Sequence, residues 1–329
     1  MLRIGLLGCG RIGQVHAKAI NGRSDATVVA VADAIPEAAA ALAEQTGGRT
    51  AETDAIIADP AIDAVVIGTP TTTHYDLIHQ TAKAGKAIFC EKPVDLSSAR
   101  IRDCIDVVEQ HQVPFFVAFN RRFDPNFATV ERRIRGGDIG QVELITILSR
   151  DPSPPPIGYV KTSGGLFRDM MIHDFDMARF LLGEEPVRVF ATGSVMVDPA
   201  IGDAGDVDTA AVILTTKSGA ICQISNSRRA TYGYDQRVEV HGSKGMLLAD
   251  NMLENNVEFA GNAGFQTAPT MNFFLERYER AYALEMAHFV EAVTTGTPPS
   301  PGIEDGYRAQ LIADAAAKSL AAGRPVEIG

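Results

Sequence analysis

Residues 2–13 read Leu-Arg-Ile-Gly-Leu-Leu-Gly-Cys-Gly-Arg-Ile-Gly, an apolar run that breaks into Gly8, Gly10 and Gly13. A run of this kind suits a strand buried on both faces, as in a parallel sheet. Beyond Gly13, residues 14–20 have helical spacing, with Val15 and Ala19 on one face. Strand, glycine turn and helix together leave unpaired backbone N–H groups at the helix start, where the helix dipole favours an anion. In such a turn Gly8 permits the tight bend, Gly10 lets backbone approach a pyrophosphate, and Gly13 lets the helix pack closely on the strand. The spacing alone is weak in a chain with 30 glycines, so its context decides. A second apolar run, Thr27–Ala32, ends in Asp33, about 20 residues past the last glycine, where a dinucleotide site wants an acid for the ribose hydroxyls. Asp33 has a second reading as the cap of a helix that Pro36 opens. Strand, turn, helix, strand and acid in the required order favour the dinucleotide site, with Arg11 and Ile12 inside its turn.

A chain of 329 residues is long for one domain, and the expectation is two: 1–120 for the dinucleotide and 121–329 for substrate. Apolar content of 46% is ample for a core, and no apolar run reaches the ~20 residues of a membrane helix. The chain enters a strand at once, so no signal peptide is expected. Cys9, Cys90, Cys104 and Cys222 are scattered without a CxxC pair, which fits reduced thiols in a cytoplasm and no metal site. A net charge of −11 without a long basic block argues against nucleic acid as a partner.

Along the first half, 38–45 reads as a helix ended by Gly47-Gly48, and 63–68 as a buried strand. That strand leads into Thr69-Pro70-Thr71-Thr72-Thr73-His74, a loop expected beside the cofactor because ligands sit beyond the carboxyl ends of such strands. Thr73 is a candidate cap for the helix 75–84, and His74 reads as a helix-start or pocket-wall residue. The strand 86–90 ends in Glu91-Lys92-Pro93. Lys92 there either polarises a substrate oxygen or pairs with Glu91. Ser97 is expected to cap a helix through His111, and 113–119 is the last parallel strand, ending in Asn120-Arg121-Arg122. Paired arginines at a strand end suit an anion, polyol or carboxylate, or a salt bridge at the domain boundary. The alternation predicts an α/β fold with a doubly wound parallel Rossmann sheet.

The second half changes pattern. After a helix over 127–134 come a strand over 141–149 and the stiff segment 151–156, rich in proline. Runs at 187–195, 207–215, 220–226, 237–241 and 245–249 are separated by turn residues with few helices between them. These predict one large, mostly antiparallel open sheet. Residues 271–295 and 304–322 read as long amphipathic helices. On a continuous helix, Asp169, His173 and Asp176 form one stripe. A carboxylate one turn from an imidazole can hold its tautomer and leave the other nitrogen as a general base; a capping Asp169 beside a structurally satisfied histidine is the alternative.

The glycine turn, Thr69-Pro70, Glu91-Lys92-Pro93, the stretch Gly164-Gly165…Asp169…His173-Asp174…Asp176, the run 119–125 and the run Ser227–Asp235 together resemble the glucose–fructose oxidoreductase/inositol dehydrogenase (Gfo/Idh/MocA) family over essentially the whole chain. The resemblance implies Lys92, Asp169 and His173 as the catalytic set, and a cis Lys92–Pro93 bond. It places Gly8, Gly10, Arg11, Ile12, Gly13, Asp33, Thr69, Pro70, His74, Glu91 and Lys92 around NAD. Substrate contacts fall to Lys92, Asn120, Arg121, Asp151, Asp169, His173, Asp176, Tyr232 and Tyr234. One departure is Ser149 and Asp151, aligned where some inositol dehydrogenases carry His and Asn. The implied reaction is oxidation of one secondary hydroxyl of a small cyclic polyol, myo-inositol foremost, in a homo-oligomer assembled through the second sheet. Another cyclic polyol or an aldose is the alternative substrate, and a non-catalytic sugar sensor the alternative function.

Asp33 would repel a 2′-phosphate, and Ala34 and Ile35 offer no cation to neutralise one. NAD should therefore be preferred over NADP by at least about tenfold in kcat/KM, ~1.4 kcal/mol. Steady-state rates with both cofactors test this, and equal use would contradict it.

Overall fold

A computed structural model describes residues Met1–Gly329, which divide into two compact units: Met1–Phe123 with Arg280–Gln310, and Asp124–Glu279 with Leu311–Gly329. In the first, strands β1 (Leu2–Leu7), β2 (Ala26–Ala32), β3 (Arg49–Thr50), β4 (Ala64–Ile67), β5 (Ala87–Cys90) and β6 (Phe115–Val117) form one parallel sheet in the order β3-β2-β1-β4-β5-β6. Helices α1 (Arg11–Asn21), α2 (Pro36–Thr46), α3 (Thr53–Ala58), α4 (His74–Lys83) and α5 (Ser98–His111) make the crossovers. The order reverses between β1 and β4, so the carboxyl ends of these two strands open the crevice where such sheets take ligands. β4 and β5 are buried at every position, which is why their sequence is continuously apolar rather than alternating. Two cap expectations are corrected. Ser97 and Thr73 stand at N-cap positions, but neither side chain caps its helix. Thr73 Oγ1 instead donates to Pro70 O at 2.8 Å, which tightens the turn before α4.

The second unit opens with α6 (Pro125–Arg135), whose N-cap Asp124 accepts the N–H groups of Asn126 and Phe127. Then follow β7 (Val142–Arg150), α7 (Ile157–Val160), α8 (Leu166–Asp169), α9 (Ile172–Leu182), β8 (Pro186–Ser194), α10 (Pro199–Asp203), β9 (Thr209–Thr216), β10 (Ile221–Ser227), β11 (Asp235–Gly242) and β12 (Gly245–Ala249). With the terminal β15 (Val326–Glu327) the strands make a seven-stranded sheet, β12-β11-β7-β10-β9-β8-β15, antiparallel except for the β7–β10 pair. Burial alternates along β9 and β10, with Val212, Leu214, Cys222 and Ile224 inward. That period of two is the signature of a sheet covered on one face. A small exposed hairpin, β13 (Glu258–Gly261) and β14 (Gly264–Thr267), lies outside the sequence expectations.

Two helical expectations are corrected. Residues 271–295 form two helices, α11 (Phe274–Arg277) and α12 (Glu279–Thr295), broken at Tyr278. The break falls where the chain changes unit: Arg277 is buried against Asp124, whereas Met286, Phe289 and Val290 of α12 join the core of the first unit. Asp169 and His173 do not share one helix either. The Met171 N–H reaches back five residues to Leu166 O at 2.9 Å, a wide turn that ends α8 and starts α9 in a new register. The last helix, α13 (Ile303–Ala322), passes from the first unit into the second.

The Asp124–Arg277 pair is almost wholly buried, with side chains 2% exposed on both sides. Removing the carboxylate leaves a buried guanidinium uncompensated. Asp124→Ala should therefore lower stability by about 3–5 kcal/mol. Asp124→Asn keeps the helix cap and loses the charge, so thermal unfolding of the two variants separates cap from ion pair. A Tm for Asp124→Ala within error of the parent would contradict this.

Candidate active site

In the first unit the carboxyl ends of β1, β2, β4 and β5 gather the cofactor residues expected from sequence. Gly8 adopts φ +94°, open to glycine, and a Cβ at Gly13 would lie 1.9 Å from Gly8 O. That contact lets α1 start directly over the end of β1. A Cβ at Gly10 would meet nothing within 4 Å. Gly10 is also the N-cap of α1, with no side-chain cap and no acid in the first turn. An open cradle lined by helix-start N–H groups fits a pyrophosphate. Asp33 accepts Cys9 N–H at 2.6 Å with one oxygen and Ile35 N–H at 2.8 Å with the other. It braces the glycine turn, while Ile35 takes the N-cap position of α2. Each carboxylate oxygen retains a lone pair suited to a ribose hydroxyl.

The next two loops are tied together. His74, buried at the start of α4, places Nε2 by Thr69 O and Nδ1 by Pro93 O, both at 2.9 Å, and a neutral ring donates to one of the two. Burial pushes its pKa below the ordinary histidine value against the pull of these carbonyls and of Glu91 and Asp95. The Lys92–Pro93 bond is cis, as the resemblance implies. Glu91 is turned inward: Oε1 meets His16 Nε2 at 2.7 Å, and Oε2 accepts the Lys92 backbone N–H at 3.2 Å. Glu285 of α12 is also buried, and burial together with the charge on Glu91 pushes its carboxyl well above the usual range. Asn120 and Arg121 are buried in the turn after β6, while Arg122 pairs with Asp305 at 2.9 Å inside the first unit.

In the second unit, α8 and α9 carry the acid and the imidazole. Asp169 accepts the Tyr159 hydroxyl at 2.8 Å and Arg228 Nη2 at 3.3 Å. His173 stands in the first turn of α9, followed by Asp174, which accepts Asn226 Nδ2 at 2.9 Å, and by buried Asp176, 3.7 Å from Arg179. Asp151 follows β7, its N–H bonded to Ser227 O at 3.0 Å. The two tyrosines part company. Tyr232 is half exposed, accepts from Arg150 and donates to Asp235. Tyr234 is buried and donates to Gln236 Oε1 at 3.3 Å. Burial opposes ionisation of Asp235, but bonds from Arg237, Tyr232 and Asn251 outweigh it and hold the carboxyl at about 2.

Residues 2–119 match the family model described as an oxidoreductase family with an NAD-binding Rossmann fold, and residues 127–248 match the GFO/IDH/MocA C-terminal domain. The chain belongs to this family. It is 56% identical to the inositol 2-dehydrogenase of Rhizobium meliloti (strain 1021) over 99% of both chains. It is similar to a solved myo-inositol dehydrogenase from Corynebacterium glutamicum, at 43% identity and a TM-score of 0.95, covering 100% of this chain and 99% of that one. A scyllo-inositol dehydrogenase from Lactobacillus casei, solved with NAD(H) and scyllo-inositol bound, is 30% identical with a TM-score of 0.93 over 100% of this chain and 99% of that one.

Sequence reasoning passed over four neighbours of the candidate residues: His16 and Glu285 beside Glu91 in the first unit, and Tyr159 and Arg228 on Asp169 in the second. Their periodicity carries no signal, because each acts on another side chain from a different element. The glycines give a direct test of the cofactor cradle. Gly10→Ala adds a methyl to open space at φ −69°, so the fold should keep its Tm while NAD binding weakens about tenfold or more. Gly13→Ala should lose both stability and binding, since the methyl collides with Gly8 O. Calorimetric NAD titration beside thermal unfolding checks the pair; an unchanged NAD affinity in Gly10→Ala would be inconsistent with the cradle.

Proposed function

We propose that this chain oxidises myo-inositol to 2-keto-myo-inositol with NAD+. The observation that carries this reading is the 56% identity to an inositol 2-dehydrogenase across 99% of both chains. The open glycine cradle and the braced Asp33 support the cofactor half. NAD+, when bound, supplies the hydride acceptor. The protein's part is then to move a proton and to stabilise charge on an oxygen. His173 takes the proton of the reacting hydroxyl. Asp169, fixed through Tyr159 and Arg228, keeps the imidazole oriented and favours its cationic form after proton transfer. Lys92, on the turn after β5, donates to the oxygen as negative charge develops on it. Asn120, Arg121, Asp151, Asp176, Tyr232 and Tyr234 are read as partners of the remaining hydroxyls. A substrate lacking one hydroxyl leaves a buried partner unpaired, at about 1–3 kcal/mol each.

No helix of the protein is long and apolar enough to cross a membrane, and we read it as a cytoplasmic enzyme. The outer face of the second sheet exposes Leu144, Phe190, Ile213, Ile221, Met246 and Leu248. An apolar surface of this kind supports a homo-oligomer, a dimer or tetramer, built on that sheet.

The test is kcat/KM with NAD+ for myo-inositol, scyllo-inositol, glucose and xylose. We expect myo-inositol to lead; an aldose exceeding it tenfold would remove the inositol assignment and leave the family standing. In the same assay His173→Ala should lose about 10²–10⁴ in rate. No turnover on any polyol, with NAD bound, would instead indicate a sensor.

A further inference from the structure

Arg228 lies in the turn after β10 and is among the largest fully buried side chains of the protein. A guanidinium out of water is unfavourable unless carboxylates compensate it. Its Nη2 donates to Asp169 Oδ2 at 3.3 Å and lies 4.0 Å from Asp206 Oδ2, while Nε has no hydrogen-bond partner. The backbone is held as well, with Arg228 N–H donating to Asp208 O at 2.9 Å. Asp206 in turn accepts the Leu166 N–H at 3.1 Å. It also packs on Gly165, where φ is +82° and a Cβ would stand 2.7 Å from Asp206 Oδ1. The short helix α8 is therefore gripped at its first residue by Asp206 and at its last, Asp169, by Arg228, and one buried cation joins the two grips.

We propose that Arg228 is a positioning residue for the reaction: its guanidinium, lodged between Asp169 and Asp206, fixes the Asp169 carboxylate and balances the charge around the base, His173. This rests on the reading of Asp169 and His173 as an acid–base pair. A hydrophobic side chain could fill the same volume, so packing alone does not call for a buried cation here. What a cation adds is charge. Without it, two carboxylates would share one pocket uncompensated, and both would favour a protonated imidazole nearby. The titratable and charged groups on the elements that carry this cluster are Tyr159 of α7; Asp169 and the Asp314-paired Arg168 of α8; Asp206 and the N–H-caged Asp208 before β9; Arg229 after β10; and, on α9, His173, Asp174 bonded to Asn226, and the Asp176–Arg179 pair.

The sign follows from the base needing to be neutral. Loss of the cation raises the proton affinity of His173, so the acid limb of kcat/KM moves to higher pH. Loss of one carboxylate moves it lower. The experiment measures kcat/KM against pH for the full-length protein with saturating NAD+ and the best substrate of the polyol panel. Arg228→Met should lose about 10- to 100-fold at neutral pH and shift the acid limb up by about half a unit or more. Arg228→Lys should restore the limb to its parent position and recover part of the rate. Asp206→Asn, which can still accept the Leu166 N–H, should shift the limb down; it keeps the proposal testable if Arg228→Met does not fold. The KM for NAD+, set by the other unit, should stay unchanged in all three. A limb that stays in place in Arg228→Met and Asp206→Asn, or a loss that Arg228→Lys does not relieve, overturns the proposal. His173→Ala measured alongside separates the two layers. If it retains turnover, the acid–base reading falls; if it is inactive while Arg228→Met is unaltered, only the role of Arg228 falls.

Discussion

The first turn rests on a backbone-to-backbone approach. Gly13 stands so near the Gly8 carbonyl that no side chain fits between them, and only this lets α1 begin over the end of β1 with its N–H groups uncapped. The open cradle at Gly10 exists because the helix starts there. Asp33 reaches the turn because β2 runs parallel to β1 with Ala32 opposite Leu7, and its bond to Cys9 N–H holds the turn to the neighbouring strand. The His74 strut then ties the loop after β4 to the loop after β5, so the strand ends are linked through side chains as well as through the sheet.

Buried charge is the second organising theme, and it is handled in three different ways. Asp124 and Arg277 form a pair and fix where α6 begins. Asp208 is satisfied almost entirely by the N–H groups of Met196, Val197 and Asp198, which hold its carboxyl below the usual range despite burial. Glu285 has no hydrogen-bond partner at either oxygen, and burial, with the charge on Glu91 added, pushes its carboxyl well above the usual range. Ion pair, backbone cage and an upward-shifted acid are three answers to the same desolvation penalty, and each occurs where the neighbouring groups leave that answer open.

Much of this was legible along the chain. Continuous apolar runs between glycine and proline punctuation identify β1, β2, β4 and β5, because strands covered on both faces are apolar along nearly their whole length. Alternation identifies the second sheet for the opposite reason. The candidate residues Asp33, His74 and Lys92 stand at element ends, where sequence order alone places them. Three features were beyond such reading. The wide turn at Met171 leaves no mark in the hydrophobic pattern, since Met170, Met171 and Ile172 are all buried and apolar. The break at Tyr278 depends on where Arg277 finds its partner, 153 positions away. The grip of Arg228 on Asp169 spans 59 positions and has no local periodicity.

The sequence by itself determined the element types, the glycine turn and the identity of the family, because strand period, helix period and glycine requirements are properties of neighbouring residues. The tertiary structure alone decided which buried groups meet. It returned α12 to the first unit, turned one oxygen of Glu91 towards His16, and set Arg228 between Asp169 and Asp206. Each of those outcomes is a compensation of charge or apolar area between distant segments. Compensation of that kind has no signature in any one segment, because its energy belongs to the pair.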